Sequence, residues 1–132
     1  MSITLTENTV GNAVIVMRPS GRLTLGEGSS QFRGRIEELV YGRALSIQER
    51  WYGFRKPPGK PANILVDPSE ISYVDSSGVG ELFSAHTTIT GNGGQIKLLK
   101  LTKRIRDLLQ ITKLYMLFEI FEDEACAVRS FN

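Results

Sequence analysis

The chain has 132 residues with a net charge of +2, and 41% of them are hydrophobic and 23% charged. These values are typical of one globular domain, so we expect residues 1–132 to form a single domain with one core. A charge this small does not indicate a nucleic acid or a membrane surface as partner. No apolar run approaches the roughly 20 residues of a membrane span, and the N-terminus lacks signal-peptide features. The single cysteine fits a reducing compartment, and we expect a cytoplasmic protein.

Segments with strand-like patterns alternate with segments of helical spacing along the chain. "SITLT" alternates apolar and polar residues, and "AVIVM" (13–17) is apolar throughout, as in a strand buried on both faces. The "PSGR" that follows predicts a turn or a break. Three further strands are expected at "NILVD", at "QIKLLKL" (95–101) and at "LFEIF" (117–121).

Helical spacing follows three of these strands. One helix is expected over "SSQFRGRIEELV", a second from Ser76 to the "GNGG" stop, and a third over "KRIRDLL" after a Thr102 cap. The stripe predicted for the second helix is Val79, Leu82, Phe83, His86 and Ile89, and Leu82, Phe83 and Ile89 are expected to be buried in the core. With a short closing helix, the pattern predicts an α/β fold. Its mixed sheet has four or five strands, mostly parallel with a hairpin at the start, and is packed with about four helices.

Residues 41–61 break this alternation with a dense set of aromatic and basic side chains. The segment carries Trp51, Tyr52 and Phe54, and its five cations against one acid give it +4, so the rest of the chain has −2. Arginines beside stackable rings can bind single-stranded nucleic acid, but no nucleic-acid module frames them. A solvated loop or a protein contact is the favoured interpretation. We expect an irregular excursion with "PPGKP" exposed and Trp51 on a surface groove or a partner.

Most catalytic chemistry lacks the residues that it needs. The only histidine, His86, falls on an apolar helical stripe, so it is interpreted as a structural residue rather than a proton carrier. Cys126 is interpreted as a small core residue and not as a nucleophile. One histidine and one cysteine do not make a zinc site, and no phosphate-binding glycine motif is present. We therefore expect neither enzymatic activity nor a metal or cofactor.

The stretch "VDSSGVGEL" places two hydroxyls and two glycines between a strand and a helix. A helix start presents unpaired amides and the positive end of a dipole, so it accommodates an oxyanion such as phosphate. Gly78 and Gly80 leave the approach to Ser76 and Ser77 uncluttered. The alternative is structural: Asp75 or Ser76 caps the helix, and the glycines permit close packing. Composition alone favours the cap, and a nucleotide site has the weakest support.

From about residue 62 to 131 the chain resembles the STAS domain of anti-sigma-factor antagonists. The resemblance rests on "DSSG" after a buried strand, on the "GG…I…L" and "L…LF…F" successions, and more weakly on "AVIVMRPSGRLTL". In that family the serine directly after the aspartate accepts phosphate, which here is Ser76. The other motif residues, which the resemblance places at the partner-binding surface, are Asp75, Ser77, Gly78 and Val79.

The resemblance implies a protein without catalysis of its own. When unphosphorylated, such a protein binds an anti-sigma factor that is also a serine kinase, and this frees the sigma factor. The kinase ends the binding by phosphorylating the serine with ATP and magnesium, and a separate serine phosphatase restores it. The implied partners are proteins, with no direct nucleic acid contact and no membrane insertion.

Two features depart from the family pattern. Members commonly read "G-x-(L/I)-D" after the second strand, whereas "GRLT" places Thr24 at that partner-binding position and removes a charge near the phosphoacceptor. The 41–61 excursion is also longer than the usual connection. An alternative function is a stand-alone STAS subunit that regulates a transporter ATPase or a stress-sensing assembly. Capture of a kinase-like anti-sigma factor or of a transporter ATPase would distinguish the two.

Overall fold

A computed structural model describes residues 3–52 and 54–131. The strands in this part of the chain are β1 (Ile3–Val10), β2 (Val14–Leu23), β3 (Asn63–Val66), β4 (Glu70–Val74), β5 (Gln95–Leu99) and β6 (Ile120–Phe121). The α-helices are α1 (Glu27–Tyr41), α2 (Ile47–Trp51), α3 (Ser76–Gly91), α4 (Lys103–Ile111) and α5 (Glu124–Arg129). A 3-10 turn at Leu114–Leu117 takes the start of the predicted strand 117–121, so β6 is shorter than expected.

The strands form one mixed sheet in the order β1-β2-β3-β5-β6, and β4 pairs with β2 beyond the end of β3. β1 and β2 are antiparallel, whereas the other described pairs are parallel. The predicted α/β fold with an initial hairpin is thereby confirmed. β4 adds a strand that the sequence pattern conceals, because two exposed residues separate its buried Ile71 from its buried Val74.

β2 is long because it changes partner along its length. It pairs with β3 up to Met17 and with β4 from Ser20, so Pro19 lies between the two partners. A register shift follows at Gly21, whose φ of +105° suits glycine. The predicted turn at "PSGR" is therefore wrong, since the strand accommodates proline and glycine where its neighbour changes.

Apolar side chains cover both faces of the sheet. α1, α3 and α4 pack on one face, and α5 covers the other, where Val16 and Leu65 lie. The apolar buried side of α3 consists of Val79, Leu82, Ala85 and Ile89. Full burial of such a leucine or isoleucine contributes about 1.5–3 kcal/mol, so this side holds α3 on the sheet.

Two side chains predicted in the core lie at the surface. Phe83 is 44% exposed, because one residue after Leu82 the helix has turned by about 100° away from the sheet. Cys126 is exposed on α5, where the neighbouring Ala127 takes the buried position. Hydrogen bonding to Asp123 raises the pKa of the Cys126 thiol, which disfavours a reactive thiolate.

Candidate functional site

Two turns meet at the carboxyl ends of neighbouring strands. β2 and β4 run parallel, and their last residues, Leu23 and Val74, are paired. The chain therefore leaves β2 through Thr24 and leaves β4 through Asp75 at the same edge of the sheet. This pairing joins the "GRLT" and "DSSG" motifs, which are about 50 residues apart in sequence.

Asp75 holds the two turns together. One carboxylate oxygen, Oδ1, accepts the Gly78 amide at 2.9 Å and so caps α3. The other, Oδ2, accepts the Leu25 amide at 3.3 Å from the turn after β2. The predicted cap is thus present, and the same side chain also fixes the position of the neighbouring turn.

Ser76 is the first residue of α3 and its side chain is exposed. Ser77, the next residue, is only half-exposed. The first amides of a helix have no intrahelical acceptor, and the dipole favours negative charge there. A phosphate on the Ser76 oxygen would therefore project toward solvent from an electrostatically favourable end of the helix.

The remaining motif residues support this helix start from below. Val79 is fully buried in the core, and Gly78 is buried against β2. A Cβ at Gly78 would overlap the Leu23 carbonyl oxygen, whereas a Cβ at Gly80 would meet nothing within 4 Å. Gly78 and Val79 consequently position Ser76, and neither offers a side chain to a partner.

Thr24 lies half-buried in the turn between β2 and α1. Its carbonyl oxygen accepts the Ser29 amide at 3.1 Å and the Ser29 hydroxyl at 2.7 Å, which ties the turn to α1. The turn closes at Gly26, which precedes α1 with a φ of +101°. The six predicted site residues thus converge at one edge of the sheet, four of them at or near the surface and two beneath it.

Sequence reasoning missed an apolar rim around Ser76. Leu25 is 79% exposed on the turn after β2. Tyr73 is also exposed on β4, and the Arg22 guanidinium lies 4.9 Å from the centre of its ring. The signal was an isolated leucine between "GRLT" and a glycine, but its closeness to Ser76 depends on the pairing of β2 with β4.

The 41–61 excursion is partly regular. α2 begins with a capping box in which Ser46 and Glu49 exchange hydrogen bonds, and Arg43 lowers the pKa of Glu49 to about 2 through a hydrogen bond. The described residues that follow, from Phe54 to Pro61, have no regular secondary structure, and Pro58 is exposed as expected.

Two other expectations concern chemistry and membranes. Within residues 3–52 and 54–131, no cluster of three or more metal-ligating side chains occurs. The ring of His86 stands edge-on to Phe118 with centroids 5.4 Å apart, which agrees with a packed structural histidine.

No helix in the described ranges combines the length and apolarity needed to cross a bilayer.

Comparison with known proteins places the chain in a family. Its sequence matches the STAS domain over residues 6–127. No curated protein sequence matches it.

Several solved structures share the fold at low sequence identity. A protein assigned as an anti-sigma factor antagonist in Thermotoga maritima superposes with a TM-score of 0.73 at 16% identity, over 96% of this chain and 93% of that one. An anti-sigma factor antagonist from Mycobacterium paratuberculosis gives 0.68 at 17%, over 98% and 94%. The Bacillus cell fate determinant SpoIIAA, in its phosphorylated form, gives 0.63 at 19%, over 98% and 100%. Because the family match covers residues 6–127, the chain belongs to the STAS domain family.

Proposed function

We propose that this protein is an anti-sigma-factor antagonist that phosphorylation of Ser76 switches off. Unphosphorylated, it binds an anti-sigma factor that is also a serine kinase. The observation that carries the proposal is the exposed Ser76 hydroxyl at the first position of α3, directly after the capping Asp75. Membership of the STAS family and the similarity in fold to anti-sigma factor antagonists support it.

The proposed reaction takes place in the kinase active site. The Ser76 oxygen attacks the γ-phosphorus of ATP, the bond from that phosphorus to the bridging oxygen breaks, and ADP leaves with its charge partly neutralised by magnesium. The hydroxyl proton passes to a base of the kinase. The STAS domain contributes an accessible nucleophile on a fixed helix start, and a serine phosphatase reverses the modification by hydrolysis.

Phosphorylation acts on the partner surface without a change of fold. The phosphate adds about −1.5 to −2 charges and three acceptor oxygens at the helix start, which accommodates them. The adjoining Leu25 and Tyr73 are exposed and apolar in part, so a partner that packs there would have to desolvate the new charge. The expected consequence is a faster release of the partner.

The first test is phosphate transfer to Ser76. We expect the cognate kinase with labelled ATP to label the wild-type protein and Ser77→Ala, but not Ser76→Ala, as mapped by mass spectrometry. Ser76→Ala should still bind the kinase, because only a hydroxyl is lost. Ser76→Asp should bind at least tenfold more weakly, although one carboxylate is a poor substitute for a phosphate.

Two results would reject this proposal. Label on Ser77 alone would show that the choice of serine is wrong. Absence of label, together with undiminished kinase binding by Ser76→Asp, would leave Asp75 and its neighbours as a helix cap. A regulatory subunit of a transporter ATPase or of a stress-sensing assembly would then be the better hypothesis.

A second prediction concerns Thr24. An aspartate there would stand in the turn that Asp75 holds beside Ser76, where a carboxylate can orient the Ser76 hydroxyl for transfer of its proton to the kinase base. We expect Thr24→Asp to raise the initial rate of phosphate transfer severalfold, and the uncharged Thr24→Asn to leave it near the wild-type rate. Equal rates for both variants would show that a charge at this position does not assist the transfer.

A further inference from the structure

An open groove lies between α1 and α3, beside the 41–61 excursion. Its volume is about 230 Å³. Arg33 on α1 and Phe83 on α3 form its sides, and Trp51 and Lys56 bound it from the excursion. Trp51 is 64% exposed, with the Arg33 guanidinium 5.8 Å from the centre of its ring. The groove therefore presents two large aromatic rings to solvent in a concave setting.

Ion pairs make the base of this groove rigid. Arg33 is bound to Glu81 through two hydrogen bonds, and Arg50 is bound in the same way to Glu37. Both glutamates are buried. These four charges neutralise one another, and their hydrogen bonds hold the walls of the groove in place. The ligand preference of the groove therefore depends on the other side chains at its rim.

The excursion beside the groove carries cations whose charge is not neutralised by described residues. Arg55, Lys56 and Lys60 are exposed, and none forms an ion pair within the described part of the chain. Lys56 borders the groove directly and Arg55 precedes it in the chain, whereas Lys60 lines a separate cavity with Pro61. A ligand segment that carries carboxylates beside an apolar side chain complements this combination of cations and aromatic rings. A nucleic acid needs a longer track of cations along its backbone.

The groove and Ser76 lie on one side of α3. Ser76, Gly80, Phe83 and Thr87 follow one another at helical spacing, and Phe83 and Thr87 border the groove. At 1.5 Å per residue, Phe83 stands about 10 Å along the helix axis from Ser76. A partner protein that covers Ser76 therefore needs only a short segment of its own chain to reach the groove.

We propose that this groove binds an acidic segment of the partner protein, with an apolar side chain of that segment seated between Trp51 and Phe83. The identity of the partner as the kinase that modifies Ser76 rests on the proposed function, whereas the preference for an acidic apolar segment rests on the groove alone. The excursion is then a second point of attachment that selects the partner independently of the phosphorylation state.

The single tryptophan of the chain makes the test direct, because Trp51 itself borders the groove. The probe is a 12-residue peptide of glutamates interspersed with leucine and phenylalanine and free of tryptophan. The same peptide with every glutamate replaced by lysine, and a 12-mer of oligothymidine, are the comparison ligands. Titration at low salt should shift Trp51 emission to the blue with the acidic peptide, at an affinity at least tenfold above that of the lysine peptide.

Charge-matched variants locate the binding. Arg55→Glu/Lys56→Glu should weaken the acidic peptide at least tenfold, and Phe83→Ala at least threefold, since Phe83 is partly exposed and dispensable for the core. The control is Lys103→Glu/Arg104→Glu on α4, which changes the net charge of the protein by the same amount and should alter the affinity less than twofold. Circular dichroism checks that each variant is folded.

Three results would overturn the groove proposal: equal affinity for the acidic and lysine peptides, equal loss in the two charge-reversed variants, or tighter binding of oligothymidine. Ser76→Asp separates the groove from the switch, and it should bind the acidic peptide within twofold of wild type. Peptide binding without phosphorylation of Ser76 would retain the groove and reject the switch. Phosphorylation without peptide binding would do the reverse.

Discussion

Gly78→Ala should lower the free energy of unfolding by about 3 kcal/mol and displace the start of α3. An added Cβ would overlap the Leu23 carbonyl oxygen and approach Val74 Cγ2 to 2.9 Å. Both neighbours end paired strands of the sheet, and a backbone carbonyl cannot move aside as the tip of a side chain can. Overpacking costs about 1–3 kcal/mol, and a backbone overlap belongs at the upper end of that range.

Gly80→Ala is the matched control, because it makes the same substitution two residues further along the helix. Nothing lies within 4 Å of a Cβ at Gly80. Alanine in a helix is favoured over glycine, so this variant should raise the free energy of unfolding by about 0.5–1 kcal/mol. Urea unfolding followed by circular dichroism measures both values. Equal effects of the two substitutions would contradict the close contact between α3 and β2.

The helix start at Ser76 could be predicted because its determinants are local. An aspartate before two serines supplies a cap, and the side chain of Asp75 does bond to the amide three residues on. Thr102 caps α4 by the same rule, with its hydroxyl accepting the Ile105 amide at 3.2 Å. Both elements depend on contacts within one helical turn, which a sequence displays directly.

The surroundings of Ser76 could not be predicted, because they depend on contacts between distant segments. Leu25 lies near Ser76 only because β2 leaves β3 and pairs with β4. The different roles of the two glycines in the motif also depend on contacts with a distant segment. Gly78 and Gly80 look equivalent in sequence, yet only Gly78 contacts the carbonyl of Leu23.

The outward position of Phe83 has the same kind of cause. An apolar residue next to Leu82 fits the core stripe by periodicity alone, since a stripe about 100° wide admits neighbours on its border. In the fold, Phe83 borders the groove together with Trp51. The groove could not be predicted, because α2 and its ion pair with α1 set the position of Trp51.

That ion pair holds the excursion to the domain. Glu37 on α1 is 5% exposed, its Oε1 accepts the Leu45 amide at 3.0 Å, and both carboxylate oxygens accept hydrogen bonds from the Arg50 guanidinium. These hydrogen bonds raise the pKa of Arg50 above its ordinary value. A buried carboxylate that keeps its charge needs such a partner, because transfer from water is costly.

Arg50→Ala should therefore lower the free energy of unfolding by about 3 kcal/mol, since it leaves Glu37 buried and uncompensated. Glu37→Met/Arg50→Met removes both charges and should recover more than half of that loss, with the unpaired Leu45 amide accounting for about 1 kcal/mol of the remainder. Arg43→Ala, which breaks the exposed pair with Glu49, is the control and should have a much smaller effect. Thermal and urea unfolding measure all three variants. If Arg50→Ala lowered the free energy of unfolding no more than Arg43→Ala does, water would be reaching Glu37. The ion pair would then not be what holds α2 and Trp51 beside the groove.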